Sequence, residues 1–152
     1  MSEILFRAKR IDNGEWVTGD LIQTAFIKNE TQENIPYILD ASKADYDCFE
    51  DLSEENGIFE VDPQTVCQYI NVTDKNDKKI FEGDIVRRKI FNDYIIGEVV
   101  RRDIGFCGFM LKCGNSYYHI GKSEHTGISD GDEVIGNIFD DKLIKFECME
   151  DI

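Results

Sequence analysis

The sequence predicts a mainly β protein, α+β at most. It should consist of short antiparallel hairpins, with a small bent sheet or barrel in the C-terminal half and room for one short helix. Three observations predict it. Asn13-Gly14 separates two apolar, β-rich runs, the strongest short-range hairpin signal. Two later pairs of alternating runs are parted by Asn92-Asp93 and by Gly114-Asn115. The four strands so defined are each too short for a flat sheet to bury much, which favours a bent or closed one.

The elements follow in order. "ILFRAKR" and "EWVTGDLI" form a first hairpin over roughly residues 4–22. In the acidic segment 41–56, Ala41, Ala44, Cys48, Phe49 and Leu52 fall near helical spacing, with Asp40 or Ser42 as cap, so a short helix and an acidic loop both fit. "GIFEVD" reads as a strand that Pro63 ends, and "TVCQYINV" starts another. "DIVRRKIF" and "YIIGEVVRR" then pair around Asn92-Asp93, which sets Ile90 across from Ile95, Val86 from Val99, Ile85 from Val100 and Arg87 from Glu98. "GFMLKC" and "SYYHI" pair around a glycine-first turn, with Phe109, Leu111 and Cys113 on the face of Ser116, Tyr118 and Ile120.

With 152 residues, 41% of them hydrophobic, the chain can bury one core or two small ones. It is read as a single domain over 1–152, or as two lobes. These would be 1–63, with the N-terminal hairpin and acidic segment, and 64–152, with the C-terminal sheet or barrel and tail. The formal charge of −14 disfavours long-range attraction to phosphate backbones or anionic lipid. No basic-then-apolar leader and no apolar run near the roughly 20 residues of a membrane span is seen, so a soluble, cytoplasmic protein is expected. The five cysteines are odd in number and lack a CxxC pair, which suits reduced thiols.

Charge is unevenly spread. Residues 30–62 carry eleven acids against Lys43, residues 75–102 eight bases against five acids, and residues 130–152 eight acids against Lys142 and Lys145. Acidic flanks therefore bracket a basic centre, an arrangement suited to docking within or between chains.

No catalytic set emerges. In "EGD", Glu82 and Asp84 could form an acid/base or metal pair, but no histidine or nucleophile lies near them. A structural turn fits better, with Gly83 supplying unusual backbone angles and Asp84 accepting a backbone N–H. "DKNDKKIFEGDI" fails as a calcium loop because Lys79 replaces its glycine and Ile85 its bidentate glutamate. Cys107, Cys113, His119 and His125 recur every six residues, but the Gly114-Asn115 turn puts Cys113 and His119 on opposite strand faces. No metal, cofactor or catalytic residue is therefore assigned.

The blocks "EILFRAKRIDNGEWVTGDLI", "TVCQYINVTDKNDKKIFEGDIV" and "DEVIGNIFDDKLI" resemble, in order, the signature blocks of the YopX family of phage and prophage proteins. Where that family tends to have Gly-Gln-Tyr-Thr-Gly and Asn-Gly, this chain has Cys67-Gln68-Tyr69-Ile70-Asn71 and Asn76-Asp77. The resemblance implies a phage or prophage origin, a mostly β fold and self-assembly, and supplies no catalytic role. The favoured expectation is a non-enzymatic accessory protein in the bacterial cytoplasm that binds a host or phage protein and copies of itself. The candidate surface is Arg87, Arg88, Lys89, Tyr94, Arg101 and Arg102. The alternatives are a nucleic-acid-binding module using the same basic hairpin, an acidic mimic of nucleic acid, and an enzyme whose site carries no known motif.

Overall fold

The computed structural model describes residues 3–28, 31–43, 57–102, 108–120 and 131–141. The chain divides into two compact units, Met1–Gln68 and Tyr69–Ile152. Strands dominate both, all paired antiparallel, and no barrel closes among the described residues. No helix among them is long and apolar enough to cross a membrane.

The first unit contains β1 (Phe6–Lys9), β2 (Trp16–Lys28), β3 (Thr31–Leu39), β4 (Ile58–Glu60) and the start of β5 (Cys67–Thr73). Their hydrogen-bonded order is β4-β3-β2-β1-β5. The Asn-Gly signal locates the β1–β2 hairpin, but the loop is wider than a two-residue turn. Lys9 pairs with Trp16, and the Arg10 N–H donates to the Glu15 carbonyl at 2.9 Å. Gly14 takes the left-handed position at φ 73°, while the Asn13 side chain accepts the Glu15 N–H at 2.9 Å. Asn13 thus closes the loop from the side.

β2 runs past the expected end of the hairpin and pairs with β3 from Asp20↔Leu39 to Lys28↔Thr31. β3 was not expected: its stretch "TQENIPYIL" carries a proline and little alternation. Ala8, Val17, Ile38, Phe59 and Val61 form the core of this unit. Pro63 ends the fourth strand as expected, in a 3₁₀ turn over Pro63–Thr65 capped by Asp62, whose carboxylate accepts the Gln64 N–H at 3.0 Å. Of the helix-or-loop segment, Ala41–Lys43 is one 3₁₀ turn, and residues 44–56 lie outside the described residues.

The second unit contains the rest of β5, β6 (Lys79–Phe81), β7 (Asp84–Ile90), β8 (Asp93–Arg102), β9 (Gly108–Cys113), β10 (Ser116–His119) and β11 (Asp132–Asn137). Five of them form an open sheet in the order β10-β9-β8-β7-β11. Its inner face carries Val86, Ile95, Val99, Leu111 and Cys113, packed with Ile70 and Ile80. The β9–β10 hairpin has the expected register, Tyr118↔Leu111 and His119↔Met110, with Gly114 at φ 59°.

The β7–β8 hairpin does not. Its turn is Phe91-Asn92, so Ile85 faces Glu98, Val86 faces Gly97, Arg87 faces Ile96 and Ile90 faces Asp93. The slip is by two residues, so every side chain keeps its expected face while each cross-strand partner changes. The observed pairing sets Gly97 where a Cβ would come within 2.7 Å of the Lys112 carbonyl, a place only glycine fits. Cys113 is disulfide-bonded, which corrects the expectation of reduced thiols throughout, and Cys67 is free.

Candidate interaction surface

Strand alternation sorts the basic residues of the second unit by face. Through the β7–β8, β8–β9 and β9–β10 registers, Arg87, Lys89, Tyr94, Arg102, Lys112, Tyr117 and His119 share the outer face. Arg88 and Arg101 point the other way. Arg88 is only 4% exposed and forms a two-point ion pair with Asp132, Nε to Oδ1 at 2.6 Å and Nη2 to Oδ2 at 2.9 Å. It cannot serve as an exposed contact, and the candidate surface is corrected accordingly. Arg101 lies over the Phe109 ring at 5.2 Å and reaches Glu82 at 3.8 Å.

On the outer face, cations and rings are paired. The Arg87 guanidinium stands 5.4 Å from the Tyr94 ring, and that of Arg102 stands 4.1 Å from Tyr117. Such stacking fixes a long side chain without removing its charge from solvent. Tyr94 and Tyr117 are 48% and 37% exposed, and Lys89 and Lys112 are exposed beside them. Arg87 meets Glu133 of β11 at 2.6 Å rather than the Glu98 expected opposite it, and Lys75 reaches the same carboxylate at 3.4 Å. Hydrogen bonds from Arg87 and Lys75 hold the Glu133 carboxyl below its ordinary range. Burial raises the Glu98 carboxyl, Lys112 opposes the rise and Glu82 adds to it.

Two acids of the "DKNDKKIFEGD" stretch, Asp74 and Asp84, serve the backbone. Asp74 accepts the N–H groups of Asn76 at 2.8 Å, Lys78 at 2.9 Å and, on β11, Val134 at 3.0 Å. Gly83 has φ 84°, and Asp84, 1% exposed, accepts the Phe81 N–H at 2.8 Å. Burial alone would raise the Asp74 carboxyl. The three N–H donors and the charge of Lys78 outweigh it, and the carboxyl lies below its ordinary value. A depressed carboxyl stabilises above its unfolded pKa, near 3.9, and loses that contribution as pH falls through the lower folded value. Asp74→Ala should therefore destabilise the protein by roughly 2–4 kcal/mol at pH 7 by orphaning three backbone donors. Urea midpoints should show the difference shrinking below about pH 4; a pH-independent gap would show that the charge of Asp74 contributes nothing.

The blocks that hold these turns also identify the chain. The family model described as YopX protein matches residues 5–145, nearly the whole length. The chain belongs to the YopX family. A comparison with curated proteins gives no match. Two of its departures from the YopX pattern now have a physical reading. Asn71 and Asp77 stand where the family tends to have glycine, and both are left-handed, with φ 64° and φ 60°. Asn and Asp tolerate that region best among non-glycine residues, so both positions reach left-handed geometry without glycine.

Among the described residues of this YopX chain, no group of three or more His, Cys, Asp or Glu is placed to hold a metal ion. Cys107 and His125 of the sequence constellation lie outside the described residues, and His119 is exposed on the outer face. A pocket of about 100 Å³ in the first unit is lined by Arg10, Ile11, Asp12, Phe59 and Glu60. It is well below the roughly 300 Å³ at which small-molecule sites begin. Sequence reasoning missed Tyr117, Lys112 and Glu133 as parts of the surface. The Tyr117↔Lys112 pair was implied by the β9–β10 register, but only the β8–β9 and β7–β11 pairings bring these residues alongside Arg87 and Arg102.

Proposed function

We propose that this YopX protein is a non-enzymatic accessory protein of phage or prophage origin. It acts in the bacterial cytoplasm by binding proteins, copies of itself among them, through the outer face of β7–β10. The observation that supports this reading is the pair of exposed tyrosines, Tyr94 and Tyr117, each holding a stacked guanidinium on one sheet face. Arg and Tyr dominate the energetics of protein interfaces, and pre-ordered side chains lose less freedom on binding. Glu98 and Glu133 stand on the same face and favour a protein partner over a phosphate backbone. The acids of the chain, eleven of them in residues 30–62, supply complementary charge on a second copy. Asp74 and Asp84 of the turn motif and Asp132 of β11 support a non-enzymatic role in a positive way, each being engaged in holding the fold.

Light scattering at low and high salt tests the reading. The parent should exceed the monomer mass of 17.5 kDa at low salt. The Arg102→Glu/Tyr117→Ser variant should lose at least about ten-fold in association, one or more interface anchors having been removed. A monomeric parent, or an assembly indifferent to both changes, would overturn it. Salt-sensitive binding of a labelled poly-dT strand, lost in the same variant, would transfer the surface to nucleic acid.

A further inference from the structure

The five-stranded sheet ends in two edges, β11 and β10, that are treated differently. At β11 the outward backbone groups are taken: the Val134 N–H donates to the Asp74 carboxylate at 3.0 Å, and the Asp132 carbonyl accepts the Lys75 N–H at 2.9 Å. Capping of this kind keeps a foreign strand from adding. At β10 the two-residue Gly114-Asn115 turn makes Ser116↔Cys113 the hydrogen-bonded pair, so in the next pair, Tyr117↔Lys112, the two backbones turn away from each other. The N–H and C=O of Tyr117 therefore point out of the sheet, and among the described residues no hydrogen bond reaches them. The four arginines of the second unit show the same contrast. Arg87 pairs with Glu133, Arg88 with Asp132 and Arg101 with Glu82. Arg102 meets no carboxylate among the described residues, and its guanidinium lies 4.1 Å over the ring of Tyr117. Lys112, across from Tyr117, has Glu98 on its other side, so Arg102 holds the uncompensated charge of this edge.

We infer, on the footing of the protein-binding face proposed above, that the β10 edge is a strand-addition site for an extended, acidic segment of another protein. The main chain of that segment pairs with the outward N–H and C=O of Tyr117, and an Asp or Glu side chain opposite Tyr117 closes on Arg102. In an antiparallel pair the Cβ atoms of facing residues lie about 5 Å apart on one face, so a carboxylate there comes within reach of a guanidinium already stacked on the tyrosine. Main-chain bonds supply affinity in such a complex, and the charged contact supplies selection. Neither edge of this sheet in a second copy fits the role. Its β11 is capped, and β10 against β10 would bring each Arg102 towards its own counterpart. A phosphate chain could meet Arg102, but it has no peptide groups to pair with Tyr117.

The probe is a fluorescein-labelled peptide of alternating threonine and glutamate, about eight residues long so that it exceeds a typical strand, followed by anisotropy. Its threonine–lysine counterpart should bind at least about ten-fold more weakly. Arg102→Gln should weaken capture of the acidic peptide by about ten-fold, the loss of one charge-assisted contact. Tyr117→Val removes the ring and keeps the outward N–H, whereas Tyr117→Pro removes both without breaking the β9 ladder, since Pro is tolerated on an edge. The proline variant should therefore bind about ten-fold more weakly again than the valine variant. Hydrogen exchange read by NMR needs no variant: the Tyr117 amide should exchange as an unprotected one in the free protein and slow by about ten-fold or more with saturating peptide. Equal binding of the lysine peptide, equal binding by the valine and proline variants, or a Tyr117 amide whose exchange the peptide leaves unchanged would overturn the inference. So would a labelled poly-dT strand that displaces the peptide and leaves that amide unprotected. Failure of capture by a parent that still self-associates through Arg102 and Tyr117 would overturn strand addition and leave the proposed function standing. Capture by a parent that stays monomeric would overturn the self-association and support strand addition alone.

Discussion

Asp132→Ala should destabilise the second unit by about 3–5 kcal/mol, the usual cost of breaking a buried ion pair from one side. The side chains of Arg88 and Asp132 are 5% and 3% exposed, with Nε 2.6 Å from Oδ1. Without the carboxylate, the guanidinium stays between β7 and β11 with neither water nor a counter-charge. Removing both partners is a different experiment. Arg88→Met/Asp132→Leu fills the same space with apolar atoms and should recover most of the loss, since the pair's own attraction is largely offset by desolvation. Urea unfolding followed by far-UV circular dichroism, run as a double-mutant cycle, measures both effects. A single-variant loss below about 1 kcal/mol would place this pair with solvent-screened surface bridges and refute the account.

Gly19→Ala should cost about 3 kcal/mol or more, at the upper end for overpacking, because the obstacle is backbone. A Cβ at Gly19 would lie 1.9 Å from the Leu39 carbonyl oxygen and 2.7 Å from its carbon. No rotamer change relieves that contact, and the β2–β3 pairing near Asp20↔Leu39 must shift. Gly14→Ala is the control: its surroundings are open, its φ of 73° is the only obstacle, and its cost should be nearer 1 kcal/mol. The single tryptophan, Trp16, lies in β2, so its emission reports on the first unit. Its denaturation midpoint should fall sharply for Gly19→Ala and little for Gly14→Ala. Equal midpoints would mean that β3 gives way more easily than a paired strand should.

The hairpins were legible because their turns carry chemistry. Gly114 occupies the left-handed position of the β9–β10 turn, and that register was read correctly. The β7–β8 turn misled because Asn92-Asp93 looks like the turn while Phe91, a residue no turn rule selects, takes the left-handed place. β3 was missed because Pro36 masks a strand whose support comes from β2 and β4 on its two sides. The candidate surface was half legible. Alternation separates Arg87, Lys89, Tyr94 and Arg102 from Arg88 and Arg101, but the ion pairs with Asp132 and Glu133 depend on contacts more than forty residues apart in the chain. The charge layout hinted at them, since the acidic C-terminal stretch had to meet some base, and part of that meeting occurs within the molecule.

The β7–β8 register also bears on how this protein can change over evolutionary time. Residues added to or removed from both strands in equal number at the Phe91-Asn92 end leave every side chain already paired on its face, and, because the side-chain period of a strand is two, steps of two per strand also keep the tip facing the same way. Each such step would move the tip by roughly 6–7 Å while Val86, Ile95 and Val99 stay packed. A step of one per strand would turn the tip itself towards the opposite face of the sheet. Reach at this end of the sheet is therefore a variable that selection can tune in discrete increments, independently of the core that carries it.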